Sequence, residues 1–266
     1  MARMVVLGVD GGTESVRCMA FDTATGEAMA SAAKPYATDF PKPAWAEQDP
    51  AEWWANLGEA VRECVANLNG NEEEHRVVAM AVDTTCCSVV ALDSNGDALR
   101  PCLLWMDQRS GQGSDSCTDR VLATGDEALR VNSGGEGPVS AEWLVPKCLW
   151  LKENEPDVYS QADYIGEYQD FINLKLTGRW VASSNNAAVR WHWKRGTEPP
   201  RSLLAALGME DLIAKLPQDA LAPGAVVGGL TDDAAAHLGL PAGVVVAQGE
   251  RFRLHSVCAC WGERAC

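Results

Sequence analysis

The sequence has no apolar run near the roughly 20 residues that a membrane-spanning helix needs. It also lacks the basic, apolar and small-residue order of a signal peptide at Met1. Positive charge is scarce too: 22 basic residues against 37 acidic ones give a net charge of −15. That charge repels phosphate backbones and anionic lipid surfaces. We therefore expect a cytoplasmic protein that has neither nucleic acid nor a membrane as its partner.

A disulfide framework is also missing, although the chain has ten cysteines. Most of those before residue 150 lie inside apolar segments, as free core thiols do. Near the C-terminus, Cys258, Cys260 and Cys266 with His255 lack the usual spacing of zinc-ligand pairs. We expect a reducing compartment and no zinc site.

The first segment has the pattern of a buried strand that enters a tight turn. Residues 4–10 are apolar and largely β-branched, and Gly11-Gly12 follows. Two more extended runs, over residues 15–21 and 28–34, complete a predicted β-meander. Rossmann and P-loop sites need a helix directly after the glycine turn. A strand follows here instead, which excludes both.

Helical patterns begin at Asp49, an N-cap acid followed by Pro50 and by Glu52 at the third helical position. Apolar residues continue at helical spacing to Leu68, and Asn69-Gly70 is the predicted stop. Further helices are predicted over residues 142–154 and 164–176, a loop over 183–193, and a last strand over 244–248. We expect the helices to pack on the sheet.

Asp10-Gly11-Gly12-Thr13 is the first candidate functional motif. Its backbone amides and the Thr13 hydroxyl can approach a phosphate, while Asp10 faces a metal ion or its water shell. The alternative is an ordinary hairpin turn.

Residues 83–88 place small hydroxyl and thiol groups between two apolar strands. Such groups, Thr84 and Thr85 among them, can line a polyol pocket. The alternative is a polar connection without function. Strand alternation predicts that Cys86 and Cys87 point to opposite faces, so no redox or metal role is expected of them.

Trp105, Asp107 and Arg109 would share one face of an extended segment. An indole can cover the apolar face of a sugar, and charged groups form bidentate hydrogen bonds with its hydroxyls. The alternative is a surface ion pair that contributes nothing.

In this order the motifs resemble the FGGY family of carbohydrate kinases. Residues 10–13, 46–50, 53–54, 83–85 and 104–109 carry the resemblance. Residues 146–154 resemble the first family signature, with departures at Leu144 and Cys148. Residues 167–171 and 176–178 are similar to a substrate-facing helix and its C-cap. The similarity covers residues 4–249.

The resemblance implies an actin-like, ribonuclease-H-like α/β domain over residues 1–249, with a mixed β-sheet flanked by helices. It implies transfer of the γ-phosphoryl group of ATP to a hydroxyl of a sugar such as D-ribulose or D-xylulose. ATP and Mg²⁺ are the implied cofactors. A homodimer is a further expectation. Asp10, Gly11, Gly12 and Thr13 would bind the magnesium nucleotide, with Asp10 toward the metal. The implied sugar-binding residues are Thr84, Thr85, Trp105, Asp107, Arg109, Lys147 and Asp170.

The chain departs from the family after Gly249. The resemblance implies a catalytic aspartate there, whereas the sequence continues with Glu250 and Arg251. Glu250 is a poor substitute because of its longer reach and its basic neighbour. We therefore predict no catalytic base in this chain.

Residues 250–266 lose both periodicities, and their basic and cysteine content rises. We interpret them as an aberrant tail from a shifted frame, a retained intron or an alternative exon, with the second domain of the family missing. Three functional hypotheses stay open: an incomplete N-terminal half of a sugar kinase, a non-catalytic sugar-binding module, and an actin-like nucleotide binder that takes no sugar.

Overall fold

A computed structural model describes residues 2–68, 74–131, 139–194 and 196–251. Its strands are β1 (Arg3–Gly11), β2 (Ser15–Asp22), β3 (Ala28–Pro35), β4 (Glu47–Gln48), β5 (His75–Thr84), β6 (Val89–Leu92), β7 (Cys102–Leu103), β8 (Tyr164–Glu167), β9 (Val181–Ser183), β10 (Asp219–Leu221), β11 (Val226–Gly229) and β12 (Val245–Arg251). Its α-helices are α1 (Pro50–Leu68), α2 (Cys117–Ala123), α3 (Leu144–Asn154), α4 (Pro156–Gln161), α5 (Tyr168–Thr177), α6 (Ser184–Arg190), α7 (Arg201–Ala206), α8 (Leu212–Lys215) and α9 (Asp232–Leu238).

The largest sheet is mixed and has the strand order β11-β12-β5-β1-β2-β3. The predicted meander is confirmed, because β1, β2 and β3 pair in antiparallel fashion. β5 pairs in parallel with both β1 and β12. The carboxyl ends of these three strands therefore lie at one edge of the sheet, where Asp10 is opposite Asp83 and Gly11 is opposite Thr84.

Helices α1, α5 and α9 belong to the core of this sheet. Asp49 begins α1 as predicted, since its side chain accepts a hydrogen bond of 2.8 Å from the Ala51 backbone amide. Trp53 of α1 is fully buried and stacks on Tyr168 of α5, with ring centroids 3.8 Å apart. The predicted stop at Asn69-Gly70 lies outside the described residues.

A second core includes alternate residues of a four-stranded sheet with the order β4-β7-β6-β8, and the other residues of its strands β6 and β7 belong to the first core. The predicted helix over residues 164–176 is wrong at its start, because Tyr164–Glu167 pairs with β6 as a strand. A capping box between Glu167 and Asp170 begins α5 only at Tyr168. The predicted loop over 183–193 contains α6, whose Ala187 is buried in this core. Tertiary packing here overrides the weak helix propensity of serine and asparagine.

The last described strand, β12, continues past the predicted boundary at residue 249 and pairs Arg251 with Thr84. Residues 252–266, the rest of the predicted tail, lie outside the described part of the chain. Among the helices of the described part, none is long and apolar enough to cross a bilayer.

Candidate functional site

The turn after β1 is held by several hydrogen bonds. The Gly12 amide donates to the carbonyl of Ser15 over 3.0 Å, and the Tyr36 hydroxyl donates to the carbonyl of Gly12. Gln48 Nε2 donates to the carbonyl of Thr13 over 2.7 Å. The turn is thus fixed by residues from two other segments.

Two glycines, Gly11 and Gly249, allow neighbouring residues to approach the backbone closely at this edge of the sheet. A Cβ atom on Gly11 would lie 2.9 Å from the hydroxyl oxygen of Tyr168. A Cβ atom on Gly249 would lie 1.9 Å from the carbonyl oxygen of Val82 and 2.5 Å from Asp83 Oδ1. Larger residues would therefore separate β12 from β5 and push Tyr168 away from β1.

Asp10 lies next to the end of β1 and has a partly exposed carboxylate. Its Oδ2 atom lies 3.0 Å from Arg17 Nη1, and the two side chains are 29% and 59% exposed. A pair this exposed adds little to stability. Asp10 therefore retains access to solvent in the position predicted for a metal-facing acid.

Trp105 lies beside the same turn. Its side chain is partly exposed, and its Nε1 donates to Thr13 Oγ1 over 3.0 Å. The Thr85 amide donates to the Gly11 carbonyl over 3.1 Å, so Thr85 also adjoins the turn. Thr84 is buried, and its hydroxyl donates to the Thr85 carbonyl over 3.2 Å. The structure thus brings the predicted nucleotide motif together with part of the predicted sugar set.

Asp107 and Arg109 do not share an exposed face with Trp105, so this prediction is wrong. The Asp107 amide closes a turn onto the carbonyl of Leu104 over 3.0 Å, and a 3-10 helix begins at Arg109. Arg109 Nη2 contacts Asp107 Oδ2 at 2.8 Å and Glu47 Oε1 at 2.7 Å. The side chains of Asp107 and Arg109 have no exposed surface.

Two indoles enclose the Arg109 guanidinium. Its Cζ atom lies 3.7 Å from the ring centroid of Trp45 and 4.9 Å from that of Trp150. Asp107 Oδ2 also accepts a hydrogen bond of 2.7 Å from the Ala46 amide. Arg109 and Asp107 thereby join the segment before α1 to the segment after β7, which is a structural role.

Lys147 is likewise buried, contrary to its prediction as a sugar ligand. Its ammonium group donates to the carbonyls of Cys87 over 2.7 Å and Leu103 over 3.3 Å, and also to that of Leu104. Burial lowers the pKa of Lys147. The side chain therefore holds the segment after β5 and the end of β7 from inside the protein.

Asp170 caps α5, and Glu167 forms a buried acceptor site beside it. Asp170 Oδ2 accepts a hydrogen bond of 2.7 Å from the Glu167 amide, and burial raises the pKa of Asp170 well above its usual value. Glu167 accepts hydrogen bonds from the Cys87 amide at 2.8 Å, Asn186 Nδ2 at 3.0 Å and Trp191 Nε1 at 2.7 Å. Burial raises the pKa of Glu167 to about 7. The fully buried Asp170 does not fit direct contact with a sugar.

Sequence reasoning gave no site role to Gln48, Tyr36 or Glu167. Gln48 both supports Thr13 and accepts a hydrogen bond of 2.8 Å from Trp53 Nε1. One signal was available: Glu47 and Gln48 are polar residues immediately before the Asp49 N-cap. Glu167 lies in the segment 167–171 that resembles a substrate-facing helix, but its hydrogen-bond partners are distant in sequence, as is the Gly12 partner of Tyr36.

Replacing Arg109 with alanine should lower the free energy of unfolding by about 3 to 5 kcal/mol, because Asp107 would keep a buried charge without its partner. Urea denaturation would measure this loss. The matched control is Arg120→Ala, which removes the partly exposed pair with Glu153 and should cost about 0 to 1 kcal/mol. Equal losses in the two variants would contradict a structural role for Arg109.

Glu167 should make stability depend on pH. Its pKa is raised from the ordinary 4.5 to about 7 in the folded protein, so the folded state holds the proton more tightly than the unfolded state. This contribution, up to about 3 kcal/mol, is fully present below pH 4.5 and is lost as the pH rises through 7. Glu167→Gln should have a flatter decline in unfolding free energy between pH 5 and 8 than the unsubstituted chain. Equal slopes would contradict the assignment, whatever the absolute stabilities.

Comparisons with known proteins show which family the chain belongs to. The model of the N-terminal domain of the FGGY family of carbohydrate kinases matches residues 5–251. The xylulose kinase of Streptomyces rubiginosus is 30% identical, with 86% of this chain and 44% of that protein covered. The ribulokinase of Shouchella clausii is 32% identical, with coverages of 91% and 47%.

A solved structure agrees with the sequence relatives. The crystal structure of xylulose kinase from Rhodospirillum rubrum superposes with a TM-score of 0.77 at 27% identity, over 92% of this chain and 49% of that one. The predicted fold class is thereby confirmed. The chain spans about half the length of the relatives it matches. On the strength of the matched domain and these relatives, the chain belongs to the FGGY family of carbohydrate kinases.

Proposed function

We propose that the carboxyl edge of β1 and β5 binds a sugar beside a magnesium nucleotide, for transfer of the γ-phosphoryl group of ATP to a sugar hydroxyl. The hydrogen bond between Trp105 Nε1 and Thr13 Oγ1 carries the proposal. It joins an exposed indole, suited to the apolar face of a sugar, to the turn suited to phosphate. In-line transfer needs the two substrates in contact, and this juxtaposition would bring them together.

A pentulose is the proposed substrate class. Relatives named xylulose kinase and ribulokinase support it. Trp105 would orient the sugar, with its own ring orientation set by the bond to Thr13. The hydroxyl of Thr85, which lies 3.2 Å from Ser88 Oγ, would hydrogen-bond to the sugar at the same edge.

Asp10 fits a magnesium ion because hard cations prefer carboxylate oxygen and often bind through water. Its partial exposure leaves room for such a shell. When bound, the ion would neutralise charge on the nucleotide phosphates. The chain's own part is to hold Asp10 at a fixed place, through the strand pairing of β1 with β2 and β5.

A non-catalytic sugar-binding module is the second candidate. The sequence Gly249-Glu250 favours it, because the aspartate implied by the family resemblance is absent there. Such a module would bind the sugar without transferring phosphate.

The first test is a thermal-shift titration of the chain with D-ribulose, D-xylulose, glycerol and MgATP. At a ligand concentration of 100 Kd, a bound ligand stabilises the fold by about 2.7 kcal/mol, which raises the Tm by several degrees. We expect a shift with a pentulose, its loss in Trp105→Ala, and its retention in the control Phe40→Ala, which removes another exposed aromatic side chain. A pentulose shift unchanged in Trp105→Ala would contradict the site. ATP consumption with the same sugars separates a kinase from a binding module.

Asp10→Asn should abolish the shift with MgATP while leaving the Tm of the free chain nearly unchanged, because its ion pair is exposed. Arg17→Gln is the matched control, since it removes the same pair but keeps the carboxylate. Equal loss of MgATP binding in both variants would show that the pair, and not a metal-facing Asp10, is what matters.

A further inference from the structure

Cys86 and Cys87 lie between β5 and β6, and their sulfur atoms approach each other. Cys87 Sγ donates a hydrogen bond to Cys86 Sγ over 3.8 Å. The backbone of Cys87 has a φ of 64°, in the left-handed region that non-glycine residues rarely adopt. The sequence prediction of opposite faces is therefore wrong, because the pair lies on a turn and strand alternation does not apply.

The unusual backbone of Cys87 is held from both sides. Its amide donates to Glu167 Oε2 over 2.8 Å, and its carbonyl accepts from Lys147 Nζ over 2.7 Å. Both partners are fully buried. Strained residues persist where the surroundings fix them in this way, and they concentrate at functional sites.

Cys86 differs in access from Cys87 and from the other described cysteines, all of which are buried. Cys86 is half-buried, whereas Cys18, Cys64, Cys102 and Cys148 are fully buried. The hydrogen bond to Cys86 and burial raise the pKa of Cys87. Cys86 is thus the sulfur that a solution oxidant reaches first, and Cys87 is the adjacent resolving thiol.

We propose that Cys86 and Cys87 form a reversible vicinal disulfide, a redox modification site next to the candidate sugar site. The Cys86 thiolate attacks a peroxide oxygen, which gives a sulfenic acid and releases hydroxide. The Cys87 sulfur then attacks the sulfenic sulfur and displaces its oxygen, which leaves as water with the Cys87 proton. In sum, two thiols lose two hydrogen atoms and hydrogen peroxide is reduced to two waters.

Ring closure requires a modest movement and gives an easily reduced bond. The sulfurs must approach from 3.8 Å to about 2.05 Å. Consecutive Cα atoms lie about 3.8 Å apart, closer than in ordinary disulfides. Such strain makes a disulfide more oxidising, and therefore labile toward thiols.

Oxidation of Cys86 and Cys87 should alter the candidate sugar site through the neighbouring residue, Thr85. Thr85 precedes the pair, and its amide bonds to Gly11. A ring that moves Cys86 displaces Thr85 and with it the edge where the sugar is proposed to bind. This consequence rests on the proposed function, whereas the disulfide itself does not.

Mass spectrometry tests the disulfide directly. The folded chain is treated with hydrogen peroxide, its free thiols are alkylated, and it is cleaved before aspartate, which releases residues 83–92 with Cys86 and Cys87 as their only cysteines. We expect this peptide to be unalkylated and lighter by two hydrogen atoms, and dithiothreitol treatment before alkylation should reverse both changes. Two alkylated thiols, or separate sulfinic acids, would overturn the proposal.

Single-cysteine variants test whether Cys86 and Cys87 are the two thiols that are oxidised. Cys86→Ser and Cys87→Ser should each abolish the loss of two hydrogens, whereas Cys117→Ser, in α2, should leave it unchanged. The test on the unsubstituted chain stands even if a variant fails to fold. A disulfide between two chains, seen as a dimer on a non-reducing gel that Cys86→Ser abolishes, would also overturn the proposal.

The effect of oxidation on pentulose binding is measured in a separate experiment. The pentulose-dependent Tm shift should fall at least several-fold after oxidation and return after reduction. A missing shift in the reduced chain would contradict the proposed function and leave the disulfide result intact. An equal shift in both forms would overturn only the link from Cys86 to the sugar edge.

Discussion

The parallel register of β1 with β5 is the constraint on which the candidate site depends. It sets Gly11 opposite Thr84 and allows the Thr85 amide to bond to the Gly11 carbonyl. A slip of one residue would turn the side chains of one strand to the wrong face. Tyr168 packs against Gly11 and stacks on Trp53. The turn after β1 is therefore fixed by the same contacts that form the main core.

Charged residues inside the protein hold the irregular segments around this edge. Arg109 joins the segment before α1 to the segment after β7. Lys147 and Glu167 hold Cys87 by its carbonyl and its amide. Buried ions are costly unless they are paired or hydrogen-bonded. Each of these groups has several partners, so the cost is offset and the segments have one defined arrangement.

The same anchors give the Cys86-Cys87 turn its shape. Because Glu167 and Lys147 fix both backbone polar groups of Cys87, its left-handed conformation is maintained and the two sulfurs stay close. The same two buried side chains, Glu167 and Lys147, therefore maintain the unusual backbone of Cys87 and fix the position of the turn beside the sheet edge. The chain combines the N-terminal domain fold of the FGGY family with a pair of adjacent thiols on one of its connecting turns.

Local sequence patterns determined the meander, helix α1, the turn at Asp10 and the family resemblance, because these depend on spacing and on capping chemistry near in sequence. They did not determine which charged residues are exposed. Asp107 and Arg109 have the composition of a sugar-binding pair, yet Glu47 and the indoles of Trp45 and Trp150 enclose them. Glu167 receives its hydrogen bonds from residues up to 80 positions away. Only the tertiary structure decides such roles, since burial and long-range partners arise when distant segments pack together and no local pattern records them.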